Sequence, residues 1–282
     1  MNEKLNNINV AKENSKIFKN YFYETKNGLR VDLKKQLDFS IHNTKQFDLE
    51  DNRSITQNYE FNHSAKYDLE ITDENTIDAA KRIKNETKEK VIALNFASAT
   101  NPGGGYLNGA RAQEEFLCRQ TTLYPTLLTQ RDFYEFHRNK RSFLYSDKMI
   151  YSPNITVFRD SEFNLLVEPF NFSIISAAAP SLIGISPGDT NSFYQAEKTM
   201  SMRIFKLLET IRKLKYENII LGAWGCGAFK NNPYTIARLF KKHLYQNPDF
   251  QKSFSKVVFA IVDSKSEKNK FIFKEVFYNE VS

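Results

Sequence analysis

Hydrophobic and polar positions change their rhythm near residue 70. Before it the chain is polar and rich in Asn and Lys: a helical pattern covers 9–22, a short strand fits 29–33, and only weak extended signals follow. Beyond it the pattern becomes regular. KYDLEIT (66–72) reads as a strand, ENTIDAAKRIKNE (74–86) as an amphipathic helix with Ile77, Ala80 and Ile83 on its apolar face, and KVIALNFAS (90–98) as a buried strand. A helix is predicted over 112–128 and a shorter one over 131–139, with extended pieces at 149–152, 155–160 and 164–170. FSIISAAAP (172–180) is a continuous apolar run of the kind a fully covered strand shows. The longest helix spans 190–214, NIILGAWGCGAF (218–229) is a buried strand running into a glycine turn, and a helix (232–247), a strand (254–263) and a helix (269–279) close the chain. This alternation predicts an α/β protein with helices on both faces of a largely parallel or mixed sheet. With no flexible linker in view, residues 1–69 are expected as an accessory segment packed on a core formed by 70–282.

A chain of 282 residues, 41% of them hydrophobic, can bury a substantial core, which sets disorder aside. Forty basic against thirty-three acidic residues give a net charge of +7, which favours an anionic partner; nucleic acid, a phosphorylated polymer and an acidic surface fit equally well. Abundant Phe, Tyr, Lys and Asn fit an AT-rich coding sequence as readily as a base-stacking surface, so aromatic content carries no functional weight. Cys118 and Cys226 are the only cysteines, and no apolar run is long enough to span a bilayer. An intracellular, cytoplasmic, reduced and monomeric protein without membrane association is the simplest expectation. Two cysteines so far apart match no ligand spacing, and His42, His63, His137 and His243 stand singly, so neither metal nor cofactor is expected.

In sheets of this kind ligands bind outside the carboxyl ends of the strands. Two loops with that position are glycine-rich: Asn101-Pro102-Gly103-Gly104-Gly105, and Gly225-Cys226-Gly227-Ala228-Phe229. Each precedes a helix whose N-terminal N–H groups and dipole favour phosphate. Together they suggest a clamp on a diphosphate. The phosphate-loop pattern G-x-x-x-x-G-K-[ST] is missing, and neither loop is a G-x-G-x-x-G followed by an acidic residue about twenty positions on, so kinase and dinucleotide-binding sites are disfavoured. Gln113, Glu114 and Glu115 follow the first loop, where carboxylates can do acid–base chemistry on a bound nucleotide. Adjacent helical residues point roughly 100° apart, so one of the pair does chemistry and the other positions.

Gly103-Gly104-Gly105, a short spacer and Gln113-Glu114-Glu115 resemble the signature of poly(ADP-ribose) glycohydrolases. More closely, LNFASATNPGGGYLNGARAQEEFLCRQTTLYPTL, IYSPNITVFRD and ILGAWGCGAFKNNP are similar to the microbial branch of that family, built on a macrodomain. VAKENSKIF and YFYETKNGLRVDL resemble its leading helix and strand, so the likeness extends over most of the chain. The resemblance implies a macrodomain-like mixed sheet between helices and hydrolysis of the ribose–ribose bond of poly(ADP-ribose). It places the catalytic acid on Glu115, a ribose-holding or ordering role on Glu114, support of the turn on Gln113 and a hold on the distal ribose on Asn101. By the same resemblance the 225–229 loop wraps the diphosphate through backbone N–H groups, Phe229 packs against the distal ribose, and Cys226 is a small neighbour and not a nucleophile.

Two other functions stay open at this stage. A reader module would keep the fold and bind ADP-ribose without cleaving it, but would not require Glu115. A hydrolase could also take ADP-ribose from a protein side chain or a nucleic acid, so the expected partner is poly(ADP-ribose) or another ADP-ribosylated macromolecule. Positive charge does not separate polymer from DNA or RNA.

Overall fold

The computed structural model describes residues 3–48, 67–264 and 267–278. In chain order its elements are α1 (Glu3–Asn20), β1 (Phe22–Glu24), β2 (Arg30–Asp32), α2 (Lys34–Asn43), β3 (Lys45–Phe47), β4 (Asp68–Thr72), α3 (Thr76–Thr87), β5 (Val91–Phe96), α4 (Gln113–Gln120), α5 (Leu123–Leu128), α6 (Arg131–Lys140), β6 (Met149–Arg159), β7 (Leu165–Ala177), α7 (Thr190–Lys213), β8 (Asn218–Leu221), α8 (Pro233–Gln246), α9 (Pro248–Ser253), β9 (Lys256–Ala260) and α10 (Asn269–Tyr278). A 3-10 turn, Tyr106–Asn108, lies between β5 and α4. β1 and β2 form a small antiparallel sheet; the other strands form one mixed sheet, flanked by helices, in the order β3-β6-β7-β5-β8-β9-β4. Pairing is parallel for β5–β8, β8–β9 and β4–β9 and antiparallel for β3–β6 and β6–β7.

The chain groups into two units: Met1–Phe47, Asn95–Arg141 and Lys148–Ala177 make one, and Asp48–Leu94, Ser142–Asp147 and Ala178–Ser282 the other. In the first, Ile17, Tyr23, Leu33 and Phe158 form a buried cluster. Asn14 of α1, fully buried, donates through Nδ2 to the Tyr106 hydroxyl (3.1 Å) and the Arg119 carbonyl (2.8 Å), and its Oδ1 accepts from Arg159 Nε (2.8 Å). Such a network is stable because every buried polar group it touches gains a partner.

Local differences from the sequence expectation have physical causes. α1 starts at Glu3, before the predicted boundary at 9, and residues 34–43, within the stretch of weak extended signals, form a helix because Leu37 and Ser40 share a buried face. Ser40 Oγ donates to the Gln36 carbonyl in its own helix and to the Asn154 carbonyl of β6, both at 2.9 Å. The predicted helix over 112–128 is two helices. Thr121 leaves the helix in an extended conformation, its hydroxyl bonding back to the Leu117 carbonyl (2.8 Å), while Thr122 exchanges two bonds with Thr156 of β6 (2.9 and 3.0 Å). Two β-branched threonines thus pair with a strand instead of continuing a helix. The extended pieces over 149–160 are one strand, with a register shift between Ser152 and Ile155 where Asn154 takes φ +54°, and those over 164–180 merge into β7.

In the second unit β5, β8 and β9 bury Ile92, Ala93, Ile219, Ile220, Val257 and Val258. Phe259 packs against Phe240, Phe273 and Phe277 with ring centroids 4.9–5.3 Å apart, so much of the phenylalanine content is core. Asn75 and Asn232 cap α3 and α8, each accepting two backbone N–H groups, with Pro233 in the first turn of α8.

Candidate active site

The penultimate residue of β5 is the buried polar Asn95, and the chain turns toward α4 just after it. Phe96 N–H donates to Gln113 Oε1 (2.8 Å), which fastens the start of α4 to the end of the strand. Ser98 N–H donates to Glu114 Oε2 (2.8 Å) and Asn95 Nδ2 to Glu114 Oε1 (3.2 Å); Asn95 Nδ2 also reaches Ser176 Oγ (2.9 Å). Both oxygens of Glu114 are therefore engaged. Burial pushes its carboxyl up to about 8, against the bonds from Ser98, Asn95 and Gly103, with the neighbouring Glu115 carboxylate adding to the rise. Glu114 is thus protonated through neutral pH.

Glu115 is arranged differently. Its Oε1 accepts from Gly105 N–H (2.7 Å), while its buried Oε2 has no partner among the described residues. The glycines make this arrangement possible. Gly104, at φ +58°, runs so close to the carboxylates that a Cβ would press into Glu115 Oε1 and stand 3.2 Å from Glu114 Oε2. A Cβ on Gly103, at φ +68°, would stand 2.8 Å from the Tyr124 ring. The loop amides turn inward: Gly103 N–H toward Glu114, Gly104 N–H to the Asn101 carbonyl (3.0 Å) and Gly105 N–H to Glu115. Asn101 is exposed, its amide 3.3 Å from Thr100 Oγ1.

The 225–229 loop follows β8 in the other unit. Gly225 takes φ +77°, and its carbonyl accepts from Asn231 N–H (3.0 Å) and Asn231 Nδ2 (3.1 Å). Cys226 N–H donates to the Ala223 carbonyl (3.1 Å), but the N–H groups of Gly227, Ala228 and Phe229 have no acceptor among the described residues. Gly227 and Ala228 are exposed. The half-buried Phe229 ring lies 5.9 Å from that of Tyr145, and burial pushes the Cys226 thiol well above its ordinary value, away from the thiolate a nucleophile needs.

Several residues packed around the carboxylates carry no signal of that position in the sequence. Asn95 was legible only as one polar position inside an apolar strand, and Ser98 acts through its backbone, which composition cannot reveal. Arg119 stands one turn after Glu115 on α4 and is buried. Cys118, fully buried, has its thiol pushed well up by burial and then by the charges of Glu114 and Glu115. Of the histidines, buried His137 bonds the Phe133 carbonyl through Nδ1, His243 bonds Ser201, and His63 lies outside the described residues. Among the described residues no group of three metal-ligating side chains comes together, and no helix is long and apolar enough to cross a membrane.

A mixed α/β sheet with a glycine turn closed over paired buried carboxylates at a helix start is the architecture of a macrodomain-like glycoside hydrolase. The sequence model of the microbial-type PARG catalytic domain, PARG being poly(ADP-ribose) glycohydrolase, matches residues 11–160, more than half of the chain, and the chain belongs to this family. Solved structures agree. Poly(ADP-ribose) glycohydrolase from Thermomonospora curvata is 33% identical, with a TM-score of 0.90 over 96% of this chain and 99% of that one. The same enzyme bound to the inhibitor ADP-HPD gives 33% and 0.86, over 97% and 98% of the two chains. Poly(ADP-ribose) glycohydrolase from Deinococcus radiodurans in complex with ADP-ribose gives 31% and 0.76, over 86% and 96%. No curated protein sequence matches the chain.

Proposed function

We propose that this protein hydrolyses the ribose–ribose O-glycosidic bond of poly(ADP-ribose), releasing ADP-ribose, with Glu115 as the acid–base group. Membership of the glycohydrolase family and the relatives solved with ADP-ribose and ADP-HPD support the reaction and the ligand class. One observation carries the choice of residue: both oxygens of Glu114 are held by protein donors, whereas among the described residues Glu115 Oε2 has none.

The chemistry follows from that inequality. Protonated Glu115 gives its proton to the departing ribose oxygen as the C1″–O bond breaks, the electron pair going to that oxygen and C1″ becoming oxocarbenium-like. The resulting carboxylate takes a proton from water as the water oxygen bonds to C1″, which restores Glu115 and leaves a hydroxyl on C1″. Gly105 N–H fixes Glu115 through both halves. Glu114, neutral at pH 7, orders the site through its bonds with Ser98 and Asn95 without adding a second negative charge beside the first. Asn101 is assigned to the distal ribose, Gln113 to bracing α4, and the Gly103–Gly104–Gly105 turn to shaping the site around the sugar. The free N–H groups of 227–229 suit the diphosphate, and Phe229 suits a sugar face.

A second reading has an observation in its favour: the raised Glu114 carboxyl carries a proton at neutral pH and could itself be the acid. Parallel Glu114→Gln and Glu115→Gln variants separate the two. The decisive experiment for substrate incubates the protein with poly(ADP-ribose), mono-ADP-ribosylated protein and ADP-ribosylated DNA, and identifies products by mass spectrometry. Release of ADP-ribose from the polymer is expected; tight ADP-ribose binding with no hydrolysis of any substrate would instead mark a reader.

A further inference from the structure

One turn along α4 from Glu115 stands a buried cation that the reaction described so far does not use. Arg119 is 2% exposed, sits four residues after Glu115 on α4, and makes no ion pair among the described residues. Its Nη2 donates to the Ala110 carbonyl (2.7 Å), Nε and Nη1 have no acceptor, and the guanidinium carbon lies 5.7 Å from the centre of the Phe163 ring. Burying a charge without a counter-ion is costly, so a role beyond packing is expected of it.

The hydrogen bonds around Arg119 form a closed path to the candidate acid. Arg119 holds the Ala110 carbonyl; Ala110 N–H donates to the Gly105 carbonyl (3.2 Å); Gly105 N–H donates to Glu115 Oε1 (2.7 Å); and Glu115 is joined to Arg119 by one turn of α4. The far side is fixed as well, because Asn14 of α1 holds the Arg119 carbonyl and the Tyr106 hydroxyl. We propose that Arg119 is a positioning residue for the glycohydrolase reaction, holding the 105–110 loop over Glu115 and supplying the positive charge that stabilises the Glu115 carboxylate as its proton passes to the leaving oxygen.

This rests on the assignment of Glu115 above. A fixed charge beside a group that becomes anionic in the transition state lowers the barrier without reorganising when the reaction occurs. Burial lowers the guanidinium from its ordinary value, and Glu115 is the largest of the groups opposing that fall, ahead of Cys118, Tyr106 and Glu3. Glu114 stands beside Glu115 on the same helix and is protonated near neutrality, and Arg159 of β6, whose charge also acts on Tyr106, lies in an ion pair with Glu13.

The test uses full-length Arg119→Met, Arg119→Gln and Arg119→Lys, with Glu115→Gln as reference. Polymer turnover is followed from pH 5 to 9, and ADP-ribose affinity by calorimetry. Met and Gln remove the charge, Gln keeps an amide donor, and Lys keeps the charge. Expected is a kcat lower by about 10–100-fold in Met and Gln, little change in ADP-ribose affinity, the Glu115 limb of the pH profile moved upward, and recovery of both properties in Lys. If Met fails to fold, Gln and Lys decide between them, since both retain a donor and differ in charge. An unmoved limb in Gln, or equal rates in Gln and Lys, would overturn the proposal. Full activity of Glu115→Gln would instead refute the assignment of the acid.

Discussion

The two glycine loops look alike in sequence and do opposite things with their backbones. In Gly103-Gly104-Gly105 the amides point at Glu114, the Asn101 carbonyl and Glu115, and a side chain at Gly104 would strike the carboxylates. In 225–229 only Gly225 is sterically confined, and three consecutive amides from Gly227 to Phe229 have no acceptor among the described residues. A glycine run after a buried strand can thus serve as a frame for buried carboxylates or as a set of open donors. What separates them is whether a helix brings carboxylates under the turn.

The largest expected effect tests the frame at its centre. Glu115→Gln keeps size and most hydrogen bonds but cannot exchange a proton, so polymer turnover should fall by roughly 10²–10⁴-fold with ADP-ribose affinity little changed. Near-normal hydrolysis would remove Glu115 from the mechanism. Next comes the glycine contrast. Gly104→Ala should lower turnover by about 10²-fold or more, because φ +58° and the collision with Glu115 both act. Gly227→Ala meets nothing within 4 Å and should leave stability within about 0.5 kcal/mol. Gly227→Asp should leave folding intact but weaken ADP-ribose binding by about tenfold or more through like-charge repulsion; unchanged affinity in calorimetry would take the diphosphate away from this loop.

Glu114 sharpens the comparison through pH. Its folded carboxyl sits at about 8 because it is buried, against about 4.3 for an unfolded Glu. Between those values the folded state keeps a proton that the unfolded state has lost, so stability falls as pH rises through this window, and the full penalty is reached above about 8. Glu114→Gln removes that penalty. The parent should therefore lose stability relative to the variant between pH 5 and 8.5, by a few kcal/mol at most, in denaturant unfolding. A constant difference would mean that Glu114 is ionised in the fold.

The smallest effect concerns what stands behind the first loop. Asn14→Ala leaves the Tyr106 hydroxyl, the Arg119 carbonyl and Arg159 Nε each short of a partner, and should cost about 1–3 kcal/mol of stability. Part of the turnover should be lost with it, while ADP-ribose affinity holds. Equal losses of affinity and turnover would mean that α1 supports the whole fold and not the frame in particular.

Sequence by itself determined the α/β class, because strands with period two and helices with period 3.6 alternate from residue 70 onward, and local propensity and pattern agree there. It also singled out Gly103 to Gly105 and Gln113 to Glu115 as a candidate site, and the fold packs that turn against the Glu114 and Glu115 carboxylates. The break at Thr121 and Thr122 was not legible: their hydroxyls and amides have partners on the same helix turn or on β6, and only the presence of Thr156 decides between them. The unequal roles of Glu114 and Glu115 were set in the same way. Neighbours in sequence differ by about 100° around a helix, but which one meets Asn95 and Ser98, and which one keeps an oxygen without a partner among the described residues, depends on residues sixteen to nineteen positions away brought together by the fold. Carboxyl acidity follows burial and donors, which are properties of packing and not of residue type.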